Sequence, residues 1–169
     1  MDFFEPAYLV FFSRWLHVLS GIMWIGLLWY FNFVQIPSMP NIPDNEKPAI
    51  SKVIAPKALF WFRWAALATI ITGLSTAHLN GYLVNALTFG IIDGSQKNTA
   101  IGIGMWLGII MAYNVWMIIW PNQKIALGIV SANDVEKPLA ARKAMLLSRT
   151  NTALSIPMLY AMVSAQNLY

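Results

Sequence analysis

Four long apolar blocks divide the chain, at about residues 9–36, 58–83, 101–120 and 144–168. Each block is long enough to cross a hydrocarbon core of about 30 Å as a helix that rises about 1.5 Å per residue. The segments between them carry prolines, glycines, asparagines and charges that are typical of turns, and no segment resembles a strand. The pattern predicts an all-α integral membrane protein, an antiparallel four-helix transmembrane bundle that forms one domain over residues 1–169.

Composition narrows the class further. The chain is 58% hydrophobic and only 11% charged, whereas soluble domains carry about 25% charged residues, so a water-facing globule is excluded. The first block follows a start that lacks a positively charged n-region and is longer than the apolar core of a signal peptide, so we expect it to remain attached as a helix. The absence of cysteine excludes disulfides, zinc–thiolate sites, iron–sulfur clusters, thiol nucleophiles and covalently attached haem within this chain.

The distribution of charge predicts the orientation. The formal net charge is +4, but the basic residues form no run, which argues against nucleic acid and for a lipid bilayer as the partner. The two connections that follow the first and third blocks contain Lys47, Lys52, Lys57, Lys124, Lys137, Arg142 and Lys143. The opposite side has Lys97 with the acidic Asp2, Glu5 and Asp93. The positive-inside rule therefore predicts an N-out/C-out, multi-pass protein of a bacterial inner membrane, with both termini periplasmic.

Two histidines are the strongest candidates for chemistry. His17 lies about 12 Å into the first block and His78 about 8 Å from the end of the second. Because successive spans run antiparallel, both imidazoles are expected in the outer leaflet at similar depth. Two such imidazoles can ligate one haem iron from both sides, which predicts a b-type haem with His17 and His78 as metal ligands. Gly21, one turn below His17, leaves room for a flat macrocycle, and Arg14, one turn above, is placed to pair with a haem propionate.

Two other interpretations of the histidines stay open. Each imidazole could simply hydrogen-bond to a neighbouring helix. A copper or other transition-metal site built from His17, His78 and a nearby methionine would use the same ligands, because imidazole suits both metals.

The other polar and small residues within the blocks have structural interpretations. Gly104 and Gly108 form a G-x-x-x-G pattern of helix packing. Arg63 and Arg149 are expected to extend to lipid headgroups. Asn114, Asn151 and Pro157 are expected to shape helix packing and a kink. All carboxylates fall in tails or loops, which argues against self-contained acid–base hydrolysis. The catalytic residues therefore stay unassigned.

Four groups of residues carry a family resemblance: Arg14-Trp15-Leu16-His17 with Trp24-Ile25-Gly26, Trp61-Phe62-Arg63-Trp64 with Thr72-Gly73, Asn114-Val115-Trp116 with Trp120-Pro121-Asn122-Gln123-Lys124, and Ser148-Arg149-Thr150-Asn151-Thr152 with Ser155-Ile156-Pro157-Met158. Together they resemble the membrane region of the bacterial membrane-bound urate oxidase (urate hydroxylase) family, over nearly the whole chain. The H-x-x-x-G-x-x-W-x-G element alone also resembles the first helix of other four-span haem or copper membrane proteins, including protoporphyrinogen oxidase of the integral-membrane type.

The resemblance implies oxidation of urate coupled to an electron acceptor, with a cytochrome c domain after a longer membrane region. This chain is expected to be a short form with about half the spans and without that domain. Its expected function is electron transfer through haem b, with a cytochrome c-type protein or a larger membrane complex as partner. One alternative is a cofactor-free accessory subunit of a larger membrane redox or photosynthetic complex. Another is an oxidoreductase that acts on urate as a dimer and needs a partner cytochrome, and a homo-oligomer is compatible with each reading.

Overall fold

The computed structural model describes residues 5–169, and within them the fold is helical with no strand. Residues 1–4, including Asp2, lie outside the described residues. The α-helices are α1 (Pro6–Trp29), α2 (Ile36–Ser38), α3 (Ala55–Leu79), α4 (Leu83–Leu87), α5 (Gln96–Tyr113), α6 (Trp120–Ala126) and α7 (Glu136–Asn167). The expectation of an all-helical chain is confirmed.

Three π-helical segments widen the long helices, at Tyr30–Gln35, Ala49–Ile54 and Asn114–Ile119. Each ends two residues before a proline. The residue just before that proline donates its N–H five residues back, as Ile36 does to the Phe31 carbonyl. A proline has no N–H and its ring collides with the carbonyl four residues earlier, so a wider turn relieves the clash while the helix continues.

Within residues 5–169, three helical stretches are long and apolar enough to cross a membrane: Pro6–Asn41, Ala49–Leu79 and Gln96–Ala126. They correspond to the first three predicted spans, with different boundaries. The first helical stretch runs on past Pro37 because of its π segment. The second predicted span ends too late: α3 stops at Leu79, and the turn that follows needs Gly81 at a φ of +75°, a conformation that glycine adopts without strain.

The fourth predicted span corresponds to α7, which is 32 residues long but is not among those three stretches. Its faces are inverted relative to a helix of a soluble protein. The buried face carries Ser148, Asn151, Thr152, Ser155 and Ser164, and the exposed face carries Leu146, Ile156, Tyr160 and Val163. The residues on the buried face of α7 are polar, and for that reason the mean hydropathy of the helix is low.

The long helices pack as two pairs, α1 along α3 and α5 along α7. The largest fully buried side chains, Trp24, Leu28, Phe62, Met111 and Ile119, lie in one core between the pairs. In the second pair, Gly104 removes the side chain that would collide with Met162, since a Cβ there would lie 2.9 Å from its Cε. This agrees with a packing role for Gly104, whereas a Cβ at Gly108 would meet only Ile70 Cδ1 of α3, at an ordinary 3.9 Å.

Buried polar bonds connect α7 to its neighbours. Asn114 donates from Nδ2 to Oδ1 of Asn151 at 2.9 Å, and Asn151 donates to the Met111 carbonyl at 2.9 Å. From the first helix, Trp29 Nε1 donates to Ser155 Oγ at 2.9 Å. The hydrogen bond between Asn114 and Asn151 joins α7 to the π segment that ends in Ile119. This is consistent with the expected role of both asparagines in helix packing.

Candidate functional site: a cavity beside His17

A cavity of about 680 Å³ lies between α1, α3, α5 and α7. Most of its lining is aliphatic or aromatic, and five glycines contribute to its walls: Gly21, Gly26, Gly73, Gly104 and Gly108. Because glycine has no side chain, these positions leave room in the cavity that larger residues would fill. The result is an apolar space with a small number of polar groups, which is typical of sites for small molecules and cofactors.

His17 contributes an imidazole to the cavity wall. Its Nδ1 lies 3.0 Å from the backbone carbonyl of Thr69 on α3. A carbonyl oxygen only accepts, so Nδ1 carries the proton in this hydrogen bond and the lone pair of the neutral ring lies on Nε2. Among the described residues, none makes a hydrogen bond to Nε2. This is the usual arrangement of a metal-binding histidine, whose other nitrogen is oriented by a backbone carbonyl.

Gly73 makes room for the His17 ring. A Cβ at position 73 would lie 2.8 Å from Cε1 and 3.0 Å from Nδ1 of the imidazole, closer than real Cβ atoms come. The ring is therefore packed against bare backbone. One turn further towards the end of α3, Ser13 and Thr76 share a hydrogen bond of 2.8 Å, which fixes the register of α1 against α3.

This register separates the two histidines. Ser13 lies level with Thr76, and His17 lies level with Thr69 and Gly73, so His78 lies beyond Ser13. Helix geometry places His78 about 7.5 Å further along α3 than Gly73 and turned by about 140° around the axis. Its side chain is exposed and does not line the cavity. The structure brings Arg14, His17 and Gly21 to one cavity but does not bring His78 there.

The estimate of equal depth failed for a physical reason. It counted each histidine from the end of a predicted span, and the second span was predicted to end at residue 83 when α3 ends at Leu79. Depth also says nothing about the angular position on a helix. The face of α3 towards α1 is set by Thr69, Thr72, Gly73 and Thr76, and His78 lies on another face.

Polar groups line the end of the cavity nearest the start of α1. Arg14 and Tyr82 both contribute there, and the guanidinium is close enough to act electrostatically on the phenol. Gln166 and Asn167, from the end of α7, complete this polar end. Arg14 lines the cavity and is exposed, so its guanidinium is open to an anionic group at this end.

Trp24 is a cavity residue that the sequence analysis missed. It is 1% exposed, yet its Nε1 has no hydrogen-bond acceptor among residues 5–169. A buried donor without a partner is unfavourable unless water or a ligand completes it. The signal was present in the sequence, because His17, Gly21 and Trp24 follow the i, i+4, i+7 spacing that places residues on one face of a helix.

Three thioethers complete the lining, from Met105 on α5 and from Met158 and Met162 on α7. The structure holds no cluster of three or more histidine, cysteine or carboxylate side chains within the described part of the chain. A metal held by His17 would therefore take its other ligands from methionine sulfur, from the backbone or from a group that the metal brings.

The family model described as urate oxidase N-terminal matches residues 83–168, which is just over half of the chain. The protein belongs to this urate oxidase N-terminal family. The predicted relation to the urate oxidase family is thereby confirmed over residues 83–168. The matched segment contains α4 to α7, and hence Gly104, Gly108 and the three methionines of the cavity, while His17 lies outside it. No curated protein and no solved structure matches the chain.

Proposed function

We propose that this member of the urate oxidase N-terminal family is a membrane module that holds one haem b in the cavity beside His17 and passes electrons. The observation that carries the proposal is the hydrogen bonding of the two ring nitrogens of His17. Its Nδ1 is anchored to the Thr69 carbonyl at 3.0 Å, and its Nε2 keeps a lone pair with no partner in the described structure. Nε2 of His17 would hold the haem iron, as histidine nitrogen does in many haem proteins.

The surrounding residues fit a flat, largely apolar group with acidic substituents. Gly73 keeps its face of the imidazole free of side chains, and Gly21 leaves open space in the cavity wall, where a Cβ would meet nothing within 4 Å. The apolar walls exclude water, and burial of this kind is one of the factors that set a haem potential. Arg14, at the exposed end, would pair with a carboxylate that remains close to solvent.

His78 has no part in this proposal, because its side chain lies outside the cavity. Met105, Met158 and Met162 also line the cavity, and their thioethers would help His17 to hold the haem group. A histidine–methionine pair gives a higher potential than two histidines. Bound here, haem would supply a one-electron couple; the chain itself supplies the ligands, the orientation and the exclusion of water.

The inverted faces of α7 support a fourth span. Hydroxyl and amide groups inside and aliphatic side chains outside are the arrangement that a lipid environment favours, because the polar groups find partners only within the bundle. Four spans, with the lysine-rich connections inside, give the N-out/C-out orientation in a bacterial inner membrane. The cavity's polar end then faces the periplasm, where a cytochrome c-type protein or a larger membrane complex would exchange electrons with the module.

Haem content of the purified full-length protein tests the proposal. The chain is produced with sufficient haem, extracted in detergent and assayed as the pyridine haemochrome, beside His17→Ala and Ser13→Ala. Ser13→Ala is the matched control, since it removes a neighbouring contact between α1 and α3 but no ligand. We expect about one haem per chain in the parent and control, and none in His17→Ala. A folded parent without haem would favour a cofactor-free accessory subunit, in which His17 only joins two helices.

A further inference from the structure

A second polar site lies far from the cavity, at the opposite end of α3. Arg63 precedes Gly73 by ten residues, or about 15 Å along the helix. Its guanidinium carbon lies 3.9 Å from the ring centroid of Trp120 and 5.2 Å from that of Phe60. Lys124 approaches the same indole, with Nζ 5.8 Å from the centroid. Two cations therefore share one tryptophan ring.

Neither cation has an acidic partner within residues 5–169. The ion pair found within residues 5–169 joins Lys47 to Asp44, and the described structure gives the Arg63 side chain no hydrogen-bond acceptor. Stacking on Trp120 occupies the face of the guanidinium, whereas its five N–H donors point outward in its plane. The aromatic contact thus orients the group and leaves its donors free for an anion.

The backbone holds this arrangement in place. Trp116 Nε1 donates to the backbone carbonyl of Arg63 at 3.1 Å, and the π segment that ends at Ile119 leads directly into Trp120. Arg63, Trp120 and Lys124 are all half-buried. The site therefore joins α3 to the start of α6, with the π segment that precedes α6 in contact with α3.

We infer that Arg63, Trp120 and Lys124 bind the phosphate of an anionic phospholipid headgroup. A phosphate diester offers the acceptor oxygens that a guanidinium fork matches in pairs. The position favours lipid over a free anion, because the site lies beside lipid-facing aromatic residues such as the exposed Phe60 and Trp61 and at the end of the bundle where the lysines gather. This inference is independent of haem and concerns the other end of the molecule.

Native mass spectrometry of the full-length protein in detergent tests the inference, because it resolves bound species by mass. Phosphatidylglycerol, phosphatidylcholine and inorganic phosphate are titrated separately into the parent, Arg63→Gln and Arg149→Gln. Arg149 is the matched control, an exposed arginine towards the same end without an aromatic partner. We expect Arg63→Gln to bind phosphatidylglycerol roughly tenfold more weakly, the loss of one charge-assisted hydrogen bond, with Arg149→Gln within about twofold of the parent.

Three results would overturn the inference. They are equal losses in the two variants, binding of phosphatidylcholine as tight as that of phosphatidylglycerol, and binding of inorganic phosphate that accounts for all the anion affinity. The last would assign the site to a soluble anion. If Arg63→Gln fails to fold, Arg63→Lys serves instead: it keeps the charge but loses the planar fork, so phosphatidylglycerol affinity should again fall while Arg149→Lys leaves it unchanged.

Discussion

The imidazole of His17 packs against Gly73, where a Cβ would lie 2.8 Å from Cε1 of the ring. The same ring is bonded through Nδ1 to the Thr69 carbonyl, one turn away on the same helix. The position of the ring is thus fixed both by a hydrogen bond and by a missing side chain. A larger residue at position 73 would move the nitrogen on which the proposed function depends.

Gly73→Ala should therefore destabilise the protein. Forcing a methyl group into a packed contact typically costs about 1–3 kcal/mol, and haem content should fall with it. Gly26→Ala is the control, because a Cβ at that position meets nothing within 4 Å. The free energy of unfolding, measured by denaturant titration in detergent, should fall for Gly73→Ala only. Equal stability of the two variants would show that the ring does not lie against residue 73.

Trp24 should report on what occupies the cavity. Its buried Nε1–H has no acceptor in the described structure, whereas that of Trp29 is bonded to Ser155 at 2.9 Å. In protein labelled with ¹⁵N at the indole nitrogens, we expect addition of haem to shift the Trp24 resonance and to leave that of Trp29 in place. Trp24→Phe assigns the signal. Equal shifts of both resonances, or none at Trp24, would place the haem elsewhere.

The bond between Asn114 and Asn151 should stabilise the contact of α5 with α7. Asn151→Ala leaves the Asn114 amide buried without the partner that it has in the described structure, which costs about 1–3 kcal/mol. Thr150→Ala, at an exposed neighbour whose hydroxyl bonds only within its own helix, should change stability by less than about 0.5 kcal/mol. In a double-mutant cycle, Asn114→Ala should add little to Asn151→Ala. Full additivity would mean that the two amides do not interact.

The hydrogen bonds that hold the loop before α5 should depend on pH, because Asp93 accepts them. Its carboxylate accepts hydrogen bonds from the Ser95 N–H at 3.1 Å and from the side chains of Asn98 and Asn85 at 2.5 and 2.8 Å. The Ser95 bond is the largest cause of a lowered pKa for Asp93, and the Asn98 and Asn85 bonds act in the same direction. Because the folded carboxyl holds its proton less tightly, these contacts are complete above its ordinary pKa and are lost as the pH falls through the lowered value.

Hydrogen exchange at the Ser95 amide measures this dependence. Corrected for intrinsic exchange, protection should fall in acid as Asp93 takes up its proton. Asp93→Asn lacks the titrating group, so its protection should stay constant over the same range. Parallel pH profiles for the two proteins would assign the acid sensitivity to another residue.

The sequence predicts the helices better than their contacts. The long apolar blocks of the sequence locate α1, α3, α5 and α7, because each block is long enough to form one extended helix. Boundaries depend on single residues, and here they depend on prolines that the chain absorbs in π turns, such as Pro37, and on Gly81, which ends the second helix with a positive φ. Mean hydropathy alone does not identify α7 as a candidate span, because its inward-facing residues are polar.

The candidate site was only partly accessible from the sequence. Arg14, His17 and Gly21 lie on one helix, so their common face follows from helical spacing alone. The proposed partnership of His17 with His78 needed the register and rotation of one helix against another, which are set by contacts such as Ser13 with Thr76. The place of Trp24 on the face of His17 and Gly21 also follows from helical spacing, whereas the lack of an acceptor for its N–H among the described residues shows only in the folded chain.

The reduced-minus-oxidised absorption spectrum of the detergent-extracted protein tests the central claim most directly, when it is recorded for the parent, His17→Ala and His78→Ala at equal protein concentration. The account predicts b-type haem bands in the parent, their loss in His17→Ala and their full retention in His78→Ala. Absence of the bands from the parent, their survival in His17→Ala, or their loss in His78→Ala would contradict it.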